Sequence, residues 1–285
     1  MDKLCITPLT RSFGAEVGGI DLSSDLSEDT VESLYRAMVV FGVLVFRKQL
    51  LSPQAQCALG RKFGDPVVPV SVYQETENVR EVTILHADVE SPPDTNVWHV
   101  DSSFRKSPPF ATILSSVRVP PSGGDTLFAD MRSAWKSLPA GFREVIRNLS
   151  AVHDTGDLAN HFRGSDHDAD TLIEGLVRHG AAIHPLVLAH PYSGEKALYV
   201  NETYTRHVLG LNAAESRRTL NYLFDFINTP ELHYRHRWET DMVLLWDNRL
   251  VQHYAIADYL PGSRTMHRLT IENDIRVVND VAGHD

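Results

Sequence analysis

The sequence is poor in cysteine, and it has neither a long apolar run nor an excess of basic residues. Its two cysteines, Cys5 and Cys57, lie far apart and outside any metal-binding spacing, which favours reduced, inert thiols over a disulfide. No stretch approaches the roughly 20 apolar residues that span a bilayer. The opening segment MDKLCITPLTRSFG has no apolar run typical of a signal peptide. We therefore expect a cytoplasmic protein that does not insert into a membrane.

Acidic residues outnumber basic ones. The chain has 37 Asp and Glu against 27 Lys and Arg, a formal net charge of -10. General binding to nucleic acid or to an anionic membrane needs a basic face, so both are disfavoured as partners. A few buried arginines can still dominate one pocket, and a small anionic substrate is therefore compatible with the acidic balance.

The composition is that of an ordinary globular protein, with 285 residues of which 42% are hydrophobic and 22% charged. The chain shows no internal repeat, low-complexity tract or Gly/Ser linker, so we expect one domain over residues 1–285. Ser27 can cap a helical pattern in SEDTVESLYRAMVVFG. Ser52 can cap a second in SPQAQCALGRKFG, with Gly64 past its end. The run VLVFRK between them predicts a buried strand.

From about Val82 onward the sequence consists of short β-type runs punctuated by Pro and Gly, such as ATILSSVRV, DTLFAD, MVLLWD and RLTIEN. This spacing predicts a mainly β protein with flanking helices, a sandwich or jelly roll rather than a parallel α/β sheet. The polar segment 154–180 has weak periodicity, so it is either a lid or a solvated surface excursion. We expect His153, His161 and His167, in and beside this segment, to be exposed to solvent.

Two His-x-Asp pairs are candidates for a metal site: His86 and Asp88 in LHADVE, and His99 and Asp101 in NVWHVDSSF. Residues two apart on an extended chain project to the same side, so either pair can bind one ion. Two histidines and one carboxylate form the facial triad typical of non-haem Fe(II) oxygenases. The third ligand must then come from a remote strand, and His253 follows a strongly apolar strand and a turn-like Asp-Asn.

Two arginines, Arg264 and Arg268, follow His253. They are four apart, so on the strand RTMHRLTI they face the same way, and His267 faces the opposite way. A 2-oxoacid that chelates iron through its keto oxygen and adjacent carboxylate needs a fixed cation for its distal carboxylate. Arg is a planar, bidentate partner for such a group. The second arginine is suited to the anionic end of a substrate.

At these residues the chain resembles the taurine and 2,4-D dioxygenase (TauD/TfdA) family of Fe(II)/2-oxoglutarate-dependent oxygenases, from ITPLTRSFGAEVGGIDL to TIEND. The motifs WHVDSSF, VPPSGGDTLFADMRSAW, HYRHRW, LWDNRLVQHYA and DYLPGSRTMHR occur in the order and spacing of the family. The resemblance implies a double-stranded β-helix and the co-substrates 2-oxoglutarate and O2. It also implies three Fe(II) ligands, two partners for the distal carboxylate of 2-oxoglutarate and one for the substrate anion: His99, Asp101 and His253; Thr126 and Arg264; and Arg268.

The resemblance implies a small organic acid as substrate. Val70 stands where the taurine branch has a histidine that helps bind the sulfonate, which counts against taurine itself. Tyr73 and Tyr204 match positions in the substrate region. WHVDSSF, VPPSGGDT, ADMRSAW and YRHRW are closer to the 2,4-D branch. The leading hypothesis is therefore an aryloxyalkanoate such as 2,4-dichlorophenoxyacetate, hydroxylated and then cleaved at its ether bond.

Three alternatives remain open: a dioxygenase of taurine or another alkyl sulfonate or sulfate, a tailoring oxygenase in natural-product metabolism, and a redox-silent metal-binding cupin. The cupin needs metal ligands but no arginine for a distal carboxylate, so Thr126 and Arg264 count against it. The resemblance also implies a homo-oligomer, because family members commonly form dimers or tetramers.

Overall fold

The computed structural model describes residues 4–68, 73–93, 95–155 and 180–277. Its helices are α1 (Glu28–Phe41), α2 (Pro53–Arg61), α3 (Met131–Ser137), α4 (Ala140–Ile146) and α5 (Ala213–Ile227), and a short 3-10 helix spans Pro230–Leu232. Its strands are β1 (Cys5–Pro8), β2 (Ala15–Gly18), β3 (Val43–Phe46), β4 (Asp65–Pro66), β5 (Glu75–Thr76), β6 (Val79–Ala87), β7 (Ala111–Arg118), β8 (Thr126–Asp130), β9 (Ser150–His153), β10 (Ala182–Pro185), β11 (Val187–Ala189), β12 (Lys196–Leu198), β13 (Thr205–Val208), β14 (His233–His236), β15 (Val243–Asp247), β16 (Val251–Ala255) and β17 (Arg264–Glu272).

The strands form one large sheet and three smaller ones. The large sheet has the order β1-β2-β3-β15-β7-β17-β6-β5, with β4 paired to β17. Its pairs are antiparallel except β2 with β3. A three-stranded sheet, β14-β8-β16, supplies the second layer, and the sheets β10-β9-β13 and β11-β12 lie beside these two. The protein is therefore mainly β with flanking helices, as the sequence predicts.

Both faces of the large sheet are covered. In β3, Val43 and Val45 join the apolar core that also contains Phe128 of the three-stranded sheet. Leu44 and Phe46, which alternate with them, join a second core with residues of α1 and α2. Side chains alternate along a strand, and a strand buried on both faces reads as a continuous apolar run, which is why VLVF gives no period of two.

The helix ends follow the capping residues of the sequence. The Ser27 side chain accepts a hydrogen bond from the Thr30 N–H at the start of α1, and Ser52 does the same at α2. After α1, Gly42 has a φ of 73°. A Cβ at that position would lie 2.9 Å from Val251 of β16, so this turn requires glycine both for its backbone and for its close approach to the second sheet.

The expectation that His153 is solvent-exposed is wrong. His153 ends β9 and is fully buried, because the alternation along SAVH turns Ala151 and His153 inward. His161, His167 and nearly all of the predicted lid at 154–180 lie outside the described residues, and the single domain over 1–285 stays a prediction. None of the helices in the described part of the chain has the length and apolar character needed to cross a bilayer.

Candidate active site

His99 and His253 are brought together by a short antiparallel bridge between the segment before β7 and the middle of β16. The N–H of each residue donates to the carbonyl oxygen of the other, at 3.1 and 3.0 Å. Their ring centroids are 4.0 Å apart. Because backbone hydrogen bonds fix the pair, the two imidazoles are held together before any ligand arrives.

Asp101 completes a cluster of three. One ligand atom each from His99, Asp101 and His253 lies within 4.8 Å of the others, and all three residues are buried. The Oδ1 atom of Asp101 is 3.8 Å from Nε2 of His253. Within the described residues, this is where histidine, cysteine and acidic side chains converge closely enough to bind one metal ion.

The electrostatics of the cluster suit a divalent metal. Burial, helped by the neighbouring His99, lowers the pKa of His253 to about 3, so its imidazole is neutral at pH 7 and keeps a lone pair. Nδ1 of His99 donates to the carbonyl oxygen of Val97 at 2.8 Å, which leaves Nε2 as the ligand atom. Burial acts to raise the pKa of Asp101, but its neighbours His253, Arg268 and His99 and the hydrogen bond from Thr112 hold it below its ordinary value. Two imidazole nitrogens and one carboxylate match the facial triad of Fe(II) sites.

Arg264 is a buried cation at the start of β17. Its guanidinium donates to Thr126 Oγ1 at 3.3 Å and lies 5.6 Å from the ring of Trp238. Its Nε has no hydrogen-bond partner among the described residues. Burial lowers its pKa to about 10, so it remains charged at neutral pH. No carboxylate of the described residues forms an ion pair with this guanidinium, and an unpaired buried charge is costly, so the site suits an anionic ligand.

Trp238 was not predicted, yet it orients Thr126. The indole N–H, which can only donate, reaches Thr126 Oγ1 at 2.9 Å. Arg264 donates to the same oxygen, so the Thr126 hydroxyl is left to donate its own proton to an incoming acceptor. From sequence alone, the tryptophan of HYRHRW would be assigned to the core. Its contact with Thr126 follows from the pairing of β14 with β8.

Arg268 lies on the same face of β17 as Arg264, as their even spacing predicts. Its Nη1 atom is 3.6 Å from Oδ1 of Asp101, and its guanidinium lies 5.9 Å from the ring of Tyr73. Tyr204 is buried, and its ring packs against Phe104 at 5.2 Å. Val70 lies outside the described residues, so its predicted place in the substrate pocket is not observed.

A pocket opens beside Arg264, and His86 of the other candidate pair lies in its wall. The pocket is lined by Tyr73, Leu85, His86, Ala87, Pro93, Thr95, Ala255, Ile256, Tyr259 and Arg264. His267 is on the opposite face of β17, where its backbone carbonyl accepts from Gln56 of α2. Trp98 packs against His233 and Tyr254. The position of His267 agrees with the alternation predicted along RTMHRLTI.

Comparison with known proteins places this geometry in a family. The family described as taurine catabolism dioxygenase TauD, TfdA matches residues 6–270. The chain belongs to this family. A solved taurine dioxygenase from Burkholderia xenovorans superposes with a TM-score of 0.81 at 29% identity, covering 95% of this chain and 90% of that one. The prediction of a jelly roll is thereby confirmed.

Similar proteins in the TauD, TfdA family are named for different substrates. A sulfate ester dioxygenase of Pseudomonas putida that depends on alpha-ketoglutarate, a synonym of 2-oxoglutarate, is 34% identical over 96% of this chain and 91% of its own length. A 2,4-dichlorophenoxyacetate dioxygenase of Cupriavidus pinatubonensis is 33% identical over 94% and 97%. A sulfonate dioxygenase of Saccharomyces cerevisiae is 31% identical over 98% and 70%.

Membership of the TauD, TfdA family settles the class of reaction. The protein is an Fe(II)- and 2-oxoglutarate-dependent dioxygenase with O2 as its second co-substrate. The redox-silent cupin is therefore excluded. His99, Asp101 and His253 have the donor types and the convergence that an iron site needs, and the buried guanidinium of Arg264 fits a co-substrate carboxylate.

Proposed function

We propose that this protein oxidises a C–H bond of a small organic sulfate ester or sulfonate, with His99, Asp101 and His253 binding Fe(II). Thr126 and Arg264 bind the distal carboxylate of 2-oxoglutarate. When bound, iron and 2-oxoglutarate supply the oxidising power, as O2 is consumed and 2-oxoglutarate becomes succinate and carbon dioxide. The protein's own residues bind, orient and desolvate the reactants.

The observation that carries the substrate class is the place of Arg268. Its guanidinium lies 3.6 Å from the Asp101 carboxylate and shares a strand face with Arg264. An anionic substrate paired with Arg268 therefore has its neighbouring carbons next to the proposed iron ligands. Arg presents a planar fork of N–H donors that matches the oxygens of sulfate, sulfonate or carboxylate.

The names of the relatives favour sulfur oxyanions as the first substrates to test, since two of the three similar enzymes above act on a sulfate ester or a sulfonate. Tyr73 lies beside the Arg268 guanidinium. Phe104, three residues after Asp101, packs its buried ring against the buried ring of Tyr204, with centroids 5.2 Å apart. We assign Tyr73 and Tyr204 to the wall around the substrate body, and Val70 to the same pocket on the sequence resemblance alone.

An aryloxyalkanoate is the second candidate. It is supported by the 33% identity to the 2,4-dichlorophenoxyacetate dioxygenase over nearly the whole of both chains, and by the motifs that resemble that branch. Hydroxylation at the carbon between ether oxygen and carboxylate would release a phenol. Both candidates place an oxyanion on Arg268, and they differ in the body that follows it.

The test is succinate formation with Fe(II), 2-oxoglutarate and O2, in the presence of hexyl sulfate, hexanesulfonate, taurine or 2,4-dichlorophenoxyacetate. We expect hexyl sulfate or hexanesulfonate to stimulate succinate release most, and taurine least. Arg268→Ala should raise KM for that substrate, while Arg36→Ala, which removes an exposed arginine of α1, should not. Stimulation only by the aryloxyacetate would select the second candidate. An unchanged substrate KM in Arg268→Ala would refute the role of Arg268.

A cytoplasmic location and a homo-oligomeric assembly stay predictions. Size-exclusion chromatography with light scattering measures the second directly, and a monomer at micromolar concentration would contradict it.

A further inference from the structure

Asp101 presents its two carboxylate oxygens to different surroundings. Oδ1 lies 3.8 Å from Nε2 of His253, another candidate ligand, and 3.6 Å from Nη1 of Arg268. Oδ2 points away from them and accepts a hydrogen bond of 2.6 Å from the hydroxyl of Thr112 on β7. Thr112 is fully buried, so this contact is shielded from water.

Thr112 is itself held by Asn248, in the turn between β15 and β16. Nδ2 of Asn248 donates to Thr112 Oγ1 at 2.9 Å and also reaches the carbonyl oxygen of Pro109 at 3.3 Å. Oδ1 of Asn248 accepts from the indole N–H of Trp246 at 2.9 Å. Trp246 and Thr112 are direct partners in the register of β15 with β7, which brings the three side chains together.

The direction of every hydrogen bond in this chain is determined. An indole N–H can only donate, so the amide of Asn248 must turn its oxygen to Trp246 and its NH2 group to Thr112. Thr112 Oγ1 then accepts from Asn248, and its single proton is left for Asp101 Oδ2. An ionised carboxylate can only accept, and the chain ends there. The hydrogen bonds are donated in one direction only, from Trp246 to Asn248, from Asn248 to Thr112 and from Thr112 to Asp101, which accepts.

We propose that this directed chain makes Thr112 and Asn248 positioning residues for the metal centre. By occupying Oδ2, Thr112 leaves Oδ1 as the oxygen of Asp101 that is available to a metal. It also prevents the carboxylate from rotating about its last bond. The inference rests on the metal site proposed above, and it adds two residues to that site from outside the ligand set.

Outer partners of metal ligands are known to affect binding strongly, since their loss typically weakens metal affinity by about 10- to 100-fold. Here the chain is buried, and a lost hydrogen bond to a charged acceptor is not replaced by water. The ring of Trp246 also lies 4.9 Å from the ring of His253. Trp246 therefore contacts the candidate ligand His253 directly and is connected to Asp101 through the hydrogen-bond chain.

The test is the affinity for Co(II) of the full-length protein, by calorimetry and by the visible absorption of bound Co(II), without substrate or O2. Thr112→Val removes the hydroxyl at nearly constant volume and should weaken Co(II) binding by about 10-fold or more. Thr112→Ser keeps the hydroxyl and should restore binding to near the wild-type value. Thr83→Val is the matched control, because the buried Thr83 hydroxyl has no hydrogen-bond partner among the described residues, and it should bind Co(II) as the wild type does.

Asn248→Asp tests the direction of the chain. A carboxylate at this position accepts the proton of Thr112 instead of donating to it, so Asp101 loses its hydrogen bond although every atom keeps its place. We expect a loss of Co(II) affinity similar to that of Thr112→Val. If this variant does not fold, the Thr112 series decides alone.

Two results would overturn the proposal. One is Thr112→Val binding Co(II) with wild-type affinity and an unchanged spectrum. The other is equal weakening by Thr112→Val and Thr112→Ser with equal losses in Tm, which would indicate packing instead of a hydrogen bond. If the wild type does not bind Co(II) at all, the metal centre is wrong and this inference fails with it. If the wild type binds Co(II), the affinities of the variants relative to wild type test the hydrogen-bond chain by itself.

Discussion

The two His-x-Asp pairs of this protein have the same local sequence pattern and opposite environments. His86 and Asp88 are partly exposed and bind each other, with His86 Nε2 at 3.0 Å from Asp88 Oδ2. Asp88 also accepts from the backbone N–H of Ser91 at 2.7 Å, and Nδ1 of His86 contacts the hydroxyl of Thr265 at 2.9 Å. The pair stabilises a turn after β6, and both ring nitrogens of His86 and both carboxylate oxygens of Asp88 take part in these contacts.

His99 and Asp101 are buried, with 6% and 4% of their surface exposed, and a third residue, His253 of β16, joins them. One carboxylate oxygen of Asp101 accepts from the Thr112 hydroxyl, and the other lies 3.8 Å from Nε2 of His253. Burial of polar groups is costly unless they are satisfied. A His-x-Asp pair with local partners closes a turn, whereas a buried pair that converges with a remote ligand can bind an ion.

The largest difference between the pairs should appear in metal binding. His99→Ala removes a ligand and should weaken Co(II) or Fe(II) binding by more than about 100-fold, beyond the effect typical of an outer partner. His86→Ala is the matched change at the other pair and should leave the affinity unchanged. Anaerobic calorimetry measures both. Equal losses in the two variants would mean that the second pair shares in the metal site.

The next difference concerns two neighbours on β17 that face opposite ways. Arg264→Leu removes the buried cation proposed for 2-oxoglutarate and should cost about 2 kcal/mol or more, roughly 30-fold in affinity. Thr265→Val removes the hydroxyl that contacts His86 and should not change KM for 2-oxoglutarate. The check is the dependence of succinate formation on 2-oxoglutarate concentration. A raised KM in Thr265→Val would show that the His86 side also binds the co-substrate.

A smaller effect should come from the histidine behind the buried pair. His153 contacts Ser103, two residues after Asp101, at 3.0 Å. Burial lowers the pKa of His153 to about 3. Below the ordinary value of 6.5 the unfolded chain takes up a proton that the folded protein refuses. The free energy of unfolding should therefore fall between about pH 6.5 and pH 3, by up to about 1.4 kcal/mol per pH unit for this group.

Urea unfolding at pH 7, 6 and 5 measures this slope. His153→Gln should make it shallower, because one titrating group is removed. Ser103→Ala keeps the imidazole and should retain the wild-type slope. A wild-type slope in His153→Gln would contradict a neutral, buried His153.

The smallest effect is expected at the exposed pair itself. The hydrogen bond from His86, with those from the backbone of Ser91 and Glu90, lowers the pKa of Asp88 below 3.8. Its contribution to stability is thus present above pH 3.8 and is lost as the pH falls through the lowered pKa. Asp88→Asn should lower Tm slightly at pH 7, and the difference from wild type should shrink in acid. An equal Tm difference at every pH would rule out this linkage.

Much of the site can be predicted from the alternation of side chains along a strand, because the sequence spacing shows which residues share a face. Arg264 and Arg268 share a face of β17 because their spacing of four is even, and His267 lies on the other face because its offsets of three and one are odd. By contrast, Thr112 lies in the apolar run ATILSSV, where one hydroxyl carries no signal. Asn248 has the residue type of a turn, and its side-chain contact with Thr112 joins positions 136 residues apart. Such contacts depend on the pairing of β15 with β7, which no local pattern specifies.

The most direct test of the central claim is succinate formed per O2 consumed, with Fe(II), 2-oxoglutarate and hexyl sulfate, in wild type, His99→Ala and His86→Ala. We predict equimolar succinate and O2 consumption that requires iron in wild type and in His86→Ala, and none in His99→Ala. Wild-type protein that forms no succinate with any of the organic anions, or His99→Ala that forms as much as wild type, would contradict the assignment of the buried triad as the iron site.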